Sequence, residues 1–285
     1  MRRVLALVIC AVAVVACGGR APKAQKTATK VELQLPTPPA MLDGQDLAEY
    51  VVENYWQNYK AEIDSVSLEQ AFSNWCAFTG YVSRETSVKS LIKAYDKAPE
   101  RILPLAEKYL YDPNSPYRDE DFYGALAAHI GTPEMTELSK LCALNPVGSK
   151  AADFVFEDER GRRHRLYDIQ APFIILFFSN PGCPACKEII DNLCASSAIF
   201  SNMSTGTVRV LSIYIDEDLD AWREYVPHYP KSWIVGFDPL FTLRNDTVYH
   251  IRAIPSVYLL DDSKNVIFKD VPTDKLIAYL ENILI

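Results

Sequence analysis

The chain has 285 residues, with Lys+Arg 29 against Asp+Glu 37, a formal net charge of -8, and 49% hydrophobic residues. That length and apolar content suit a globular protein of two domains. The acidic balance excludes nucleic acid or an anionic membrane surface as the primary partner, since both demand a basic face.

The first residues, "MRRVLALVICAVAVVACGGR", combine Arg2 and Arg3, an apolar run over 4–16 and then small residues. That order is an export signal, and the run falls short of the roughly 18 to 20 residues a spanning helix needs. Val14, Val15, Ala16 and Cys17 resemble the lipobox of bacterial lipoproteins. The resemblance implies a signal peptide over 1–16, cleavage before Cys17 and lipidation of its sulfur; an ordinary cleaved signal with a chance cysteine is the alternative. Two or more acyl chains on Cys17 would anchor the protein stably. Gly18 does not look like a retention signal for the inner membrane, so the leaflet stays open. Residues 17–40 read as the lipidated Cys and a flexible tether, rich in Gly, Lys, Thr and Pro. Export also means an oxidising compartment, in which disulfides persist.

Residues 41–145 show helical periodicity, with Leu47, Val51, Tyr55 and Tyr59 four apart and Leu91, Ile92 and Tyr95 on another face. Helix punctuation is frequent: a capping box at Ser67 and Gln70, Pro99 at a first helical position, and Thr132, Pro133 and Glu134 in order. Five or six short helices are predicted. "YDPNSPYRDED" at 111–121 carries Asp112, Asn114 and Asp119, but Pro116 and the missing mid-loop Gly fit a solvated loop better than a calcium loop.

After residue 147 the pattern becomes β and α in alternation. "DFVFED" and "RRHRLYDI" flank a turn at Glu159, Arg160 and Gly161; "FIILFF" and "VRVLSIYID" are apolar runs suited to strands buried on both faces. Helical spacing follows "FIILFF" over 184–194 and recurs over 219–226. "SWIVGFD" reads as a further strand, "PSVYLLDD" and "NVIFKDV" form a hairpin across Asp262, Ser263 and Lys264, and Leu276, Ile277, Leu280 and Ile283 stripe a final helix. The class implied is a mixed sheet between helices.

Between the run "FIILFF" and the helix that follows it stands Cys183-Pro184-Ala185-Cys186. At a helix start, unpaired N–H groups and the helix dipole favour a thiolate at Cys183. Cys186 lies one turn on and on the same face, close enough to close a small disulfide. Pro184 has no donor to lose there and stiffens the first turn. A zinc site would need a second pair of Cys or His at matching spacing; Cys76, Cys142, Cys194 and the scattered His129, His164, His228 and His250 supply none, so no metal is assigned. A structural disulfide remains the alternative.

From Val147 to the C-terminus the chain resembles the thioredoxin-like fold, particularly the membrane-tethered periplasmic thiol–disulfide oxidoreductases related to TlpA and ResA. The residues that carry the resemblance are "VGSKAADFVFEDERG", "FIILFF", "CPAC" and "IRAIPSVYLLDD". It implies an α/β thioredoxin-like domain over 147–285, preceded by a separate all-α domain over 41–145 similar to helical domains of unknown function in lipoproteins of Bacteroidetes-type bacteria. It further implies Cys183 as nucleophile, Cys186 as resolving thiol, Pro184 and Ala185 as support, and a cis Ile254-Pro255 bond with Ile254 backbone groups left to pair with an extended substrate. The redox group would be the Cys183 and Cys186 disulfide, with no other cofactor. Partners would be cysteine-containing envelope proteins and a transmembrane thiol carrier, on the periplasmic side. Reduction is favoured over oxidation by the resemblance alone.

Two positions depart from the family pattern. Where a buried Asp and a Trp are usual, this chain has Phe177 and Gly182, so the ordinary proton acceptor for Cys186 is missing; Glu188 reads as an exposed helix carboxylate. Cys194 reads as an inert thiol, and Cys76 with Cys142 as either a bridge or two separate thiols. The basic run at 160–165 reads as a solvated turn, and Trp222, Tyr225, Trp233 and Tyr249 as packing aromatics. A peroxiredoxin is disfavoured because Asn180 stands where the peroxidatic motif needs Thr. The rival from another class is a binding module with a static disulfide.

Overall fold

The computed structural model describes residues 31–245 and 248–284. The lipobox and Cys17 lie outside the described residues, as does most of the expected tether. The part of that tether that is described is not loose: Val31 and Leu33 pack against the helical core, and Asn58 Nδ2 donates to Gln34 O at 3.2 Å.

Among the described residues six α-helices precede the sheet: α1 (Gly44–Glu53), α2 (Ser65–Phe78), α3 (Arg84–Lys97), α4 (Pro99–Ala106), α5 (Glu120–Ile130) and α6 (Pro133–Cys142). The apolar spacing from Leu47 to Tyr59 predicts one longer helix than forms; α1 stops at Glu53, and Tyr55 and Trp56 enter the core from the turn beyond it. The expected capping box at Ser67 is also displaced. Asp64 caps α2, its carboxylate accepting from Ser67 N at 2.9 Å and Ser67 Oγ at 2.8 Å, because an anion at a helix N-cap outcompetes a hydroxyl already inside the first turn. Thr132 and Pro133 start α6 as read. The 111–121 segment is consumed by its own structure: Asp112 Oδ1 accepts Asn114 N at 2.8 Å, and Asp119 caps α5 through Phe122 N at 3.1 Å. One apolar core, centred on Trp56, Phe72, Trp75, Leu91 and Leu126, serves these helices.

The remainder forms a seven-stranded sheet in the order β2-β1-β5-β4-β3-β6-β7. The strands are β1 (Val155–Asp158), β2 (Arg163–Arg165), β3 (Phe173–Phe178), β4 (Val208–Tyr214), β5 (Ile234–Phe237), β6 (Ser256–Asp261) and β7 (Val266–Lys269). β3 runs parallel to β4 and antiparallel to β6. Four helices accompany them: α7 (Pro184–Ala195), α8 (Ser197–Thr205), α9 (Leu219–Tyr225) and α10 (Thr273–Ile283). α8 has no counterpart in the sequence reading; Ser196 starts it and Gly206 ends it in a left-handed conformation.

The central strand β3 is why "FIILFF" carries no alternation. Ile174, Leu176 and Phe178 face one core, with Leu211, Ile213, Tyr258 and Leu260; Ile175 and Phe177 face the other, with Val257, Leu259 and the inner sides of α7, α8 and α10. A strand sandwiched this way stops at Phe178, and the chain must then turn out of the sheet. That turn carries the cysteines.

Candidate functional site

Ser179 closes β3 and the loop over 180–182 delivers Cys183 to the N-cap of α7. Gly182 adopts φ +68, a backbone that glycine takes without penalty and a tryptophan would resist, which accounts for the residue found there. The loop is pinned to the end of β4 by Asn180 Nδ2, which donates to Asp216 Oδ2 at 2.6 Å. Pro184 occupies the first helical position, and both Pro184 and Ala185 are exposed.

The two thiols are unalike. Cys183 is half-buried at the helix start, and its Sγ accepts the Cys186 backbone N–H at 3.1 Å. That bond is charge-assisted once the sulfur is a thiolate. Cys186 is 2% exposed and points into the core formed by Phe177, Ile190 and Leu193. Burial first, and the neighbouring Cys183 second, push its thiol up to about 12, against a hydrogen bond from the Asn180 backbone. Both cysteines are free thiols here, as are Cys76, Cys142 and Cys194. Cys76 and Cys142 are therefore two separate buried thiols; burial pushes the Cys76 thiol well up and the Cys142 thiol up to about 12.

Beside the pair lies the end of β6. Phe178 of β3 registers with Ser256 of β6, so Pro255 sits level with the point where the cysteine loop leaves the sheet. The Ile254-Pro255 peptide bond is cis, as the resemblance implied. Ile254 packs against the core that holds Cys186, while Ala253 and Ile254 make no backbone hydrogen bond among the described residues. Unpaired backbone N–H and C=O groups on an extended segment are of the kind that can take up a further strand.

Phe177 lies beneath Cys186, fully buried, its ring edge-on to Trp233 at 6.0 Å between centroids. Sequence reasoning left the position simply without an acid. What it missed is the polar group nearby: Ser179 Oγ bonds Ser212 Oγ and Tyr229 Oη, each at 2.8 Å, in a buried cluster of three hydroxyls. Burial raises the Tyr229 phenol, the two serines lower it, and Cys186 raises it again, so the cluster senses the charge of the buried sulfur. Glu188 is exposed on α7.

Away from the pair, Glu120, Cys142 and His250 bring possible ligand atoms within 4.8 Å of one another, all buried. The carboxylate is already engaged, with Lys269 Nζ at 2.6 Å from one oxygen and Arg252 Nε at 2.9 Å from the other, so two cations stand where a metal ion's charge would.

A parallel and antiparallel sheet whose third strand hands a Cys-x-x-Cys pair to a helix, opposite an Ile-Pro turn, defines the thioredoxin-like class. The comparisons agree. The crystal structure of a thioredoxin-like protein from Bacteroides caccae shares 34% sequence identity, covers 88% of this chain and 98% of its own, and superposes with a TM-score of 0.79. The chain belongs to the thioredoxin-like proteins. Coverage that wide takes in the helical part as well as the sheet, and residues 17–144 match a family described as a domain of unknown function, DUF5106. Among curated relatives, the thiol-disulfide oxidoreductase ResA of Geobacillus kaustophilus is 24% identical over 143 residues, 48% of this chain and 78% of that protein. ResA of Bacillus cereus is 21% identical over 140 residues, with the same coverage of each chain.

Proposed function

We propose that the protein is a thiol–disulfide oxidoreductase that works through Cys183 and Cys186, acting on polypeptide disulfides in the cell envelope. The observation that carries this reading is the asymmetry of the pair: one accessible sulfur at a helix N-cap receiving an N–H, and one buried sulfur a turn behind it. The relatives named as thiol-disulfide oxidoreductases support it.

In the reductive direction, the Cys183 thiolate attacks one sulfur of a substrate disulfide. A Cys183–substrate bond forms, the substrate S–S bond breaks, and the second substrate sulfur leaves as a thiolate that takes up a proton. Cys186 then loses its proton and attacks Cys183 Sγ; the mixed disulfide breaks, the Cys183 and Cys186 disulfide closes, and the substrate departs as a dithiol. The N–H that Cys183 Sγ accepts and the dipole of α7 stabilise the attacking thiolate at the start of this sequence. Deprotonating Cys186 is the demanding step, because burial raises that thiol to about 12 and Phe177 offers no base. A transmembrane thiol carrier would return electrons to the pair. Lipidation of Cys17 would hold the enzyme at the membrane, periplasm-facing; no described helix is long and apolar enough to cross one.

Reduction of insulin disulfides tests the proposal. Wild type is expected to reduce insulin with dithiothreitol as electron source, and Cys183→Ser to fall to the uncatalysed rate. Equal rates for the two proteins would contradict it and leave a binding module with a static Cys183 and Cys186 pair as the better reading.

A further inference from the structure

The helical part has no cysteine chemistry of its own to contribute: Cys76 and Cys142 are both buried with their thiols raised. It meets the sheet through a buried cluster of charge, and that cluster sits on the segment carrying Ile254 and Pro255. Arg252 lies two residues before Ile254, with its side chain 6% exposed. Its Nε is 2.9 Å from Glu120 Oε2 on α5, its other end donates to Asp270 Oδ2 at 2.7 Å, and its guanidinium lies 4.7 Å over the Tyr111 ring. Tyr111 Oη in turn shares a 3.1 Å hydrogen bond with His250 Nε2. Arg118 Nε donates to Asp270 O at 2.7 Å. Lys269 Nζ completes the cluster, at 2.6 Å from Glu120 Oε1 and 3.2 Å from Asp121 Oδ1, while donating to the carbonyls of Cys142 and Leu144 at 2.6 and 2.7 Å.

Stability alone does not account for so much buried charge. Well-packed apolar residues of similar volume often serve as well or better, because each buried ion must first be stripped of water. What the charges add is direction: the planar guanidinium of Arg252 bonds Asp270 through one edge while facing the Glu120 carboxylate with another, and that combination fixes one orientation. The backbone at 252 is thereby fixed from the helical side, two residues from the unpaired backbone groups of Ile254. Next to it, a cleft of about 700 Å³ opens between Glu107–Tyr111 and residues 250–252, so the helical part also walls the approach to that segment.

We propose that the helical part is the substrate-positioning element of the enzyme: through Glu120 and Tyr111 it holds Arg252, and so sets residues 253–255 for pairing with an extended polypeptide. Glu120 and Arg252 are positioning residues for polypeptide disulfides and are indifferent to small disulfides, which need no strand pairing. The inference rests on thiol–disulfide exchange at Cys183 and Cys186.

Kinetics on the full chain separate the two ideas, with insulin turned over at the expense of dithiothreitol as the polypeptide, and a single turnover of the pre-reduced enzyme, freed of dithiothreitol, with 5,5'-dithiobis(2-nitrobenzoate) as the small disulfide. At pH 8, where Glu120 is charged, Glu120→Gln removes the anion; Arg252→Lys keeps the charge but loses the fork, and serves alone if Glu120→Gln does not fold. The expected result is a rise in KM for insulin of about tenfold, from the loss of one buried charge contact to Arg252, with the rate on the small disulfide within about twofold of wild type. An unchanged KM for insulin in a folded Arg252→Lys variant overturns the inference, as does a parallel fall on both substrates, which marks general damage. A wild type inactive on both substrates sinks the redox reading itself, and the inference with it.

Discussion

At the residue scale the two cysteines differ in burial, and the proposed division of labour follows from that difference. Cys183 is half-exposed and Cys186 is 2% exposed with its thiol raised to about 12, so at neutral pH an alkylating reagent is expected to label Cys183 and spare Cys186 until the fold opens. Mass spectrometry of peptides after brief iodoacetamide treatment reads this directly; equal labelling of the two would contradict it. Phe177 shows the other side of the same burial. It is 0% exposed against Trp233, and Phe177→Ala is expected to cost about 3–5 kcal/mol in denaturant unfolding, the usual range for emptying a core aromatic site. The sequence showed that an acid is missing at 177, but not that Ser179, Ser212 and Tyr229 gather their hydroxyls close by. Those three residues lie far apart in the chain, and serine and tyrosine give no periodic signal.

At the scale of elements, close approach rather than propensity decides several positions. Gly124 in α5 faces α6, where an added Cβ would lie 2.5 Å from Cys142 Cβ. Replacing a helical Gly by Ala ordinarily gains up to about 1 kcal/mol, whereas overpacking a tight contact costs about 1–3 kcal/mol. Cys142 Cβ is fixed to its backbone and has little room to yield, so Gly124→Ala is expected to lower stability, read as a lower urea midpoint; a gain would show that α5 and α6 can separate freely. The elements that were legible beforehand are those with strong local pattern. β3 announced itself by six apolar residues in a row, α10 by its stripe, and α7 by Pro184 after a strand. α8 was not legible, because Ser197–Thr205 is short and its two buried residues, Ile199 and Met203, make too weak a stripe to stand out. The overrun of α1 has a similar cause: Tyr55 and Trp56 keep the apolar spacing of a helix while packing from a turn.

At the scale of the whole molecule, the join between helices and sheet is electrostatic and titrates. Burial raises Glu120 from 4.5 to about 7, against the pull of Lys269 and Arg252, and burial raises Asp270 as well. The neighbours that set this balance are Lys269, Arg252, Arg118, Asp121, Asp270, Cys142 and His250. A carboxyl whose folded value lies above its unfolded one stabilises the fold at low pH, and that contribution disappears as pH rises through the folded value. Unfolding free energy is therefore expected to decline between about pH 4.5 and 7, by roughly 3 kcal/mol from Glu120, and the decline should shrink in Glu120→Gln. Urea titrations at pH 5 and pH 7.5 check the sign, and a variant with the same pH dependence as wild type would contradict it. None of this cluster was legible in the sequence. Glu120 and Lys269 stand 149 positions apart, the one in a charged loop-to-helix stretch and the other at the end of an apolar strand, and only the fold brings them together. The same fold gives the helices, which sequence could describe only as a preceding domain, a place beside the Ile254-Pro255 segment. The central claim is that Cys183 is the sulfur that meets substrate. It is tested most directly by a Cys186→Ser variant incubated with a disulfide-bonded polypeptide, followed by mapping of the trapped mixed disulfide. The expected adduct is on Cys183; no adduct, or one on Cys76, Cys142 or Cys194, would contradict the account.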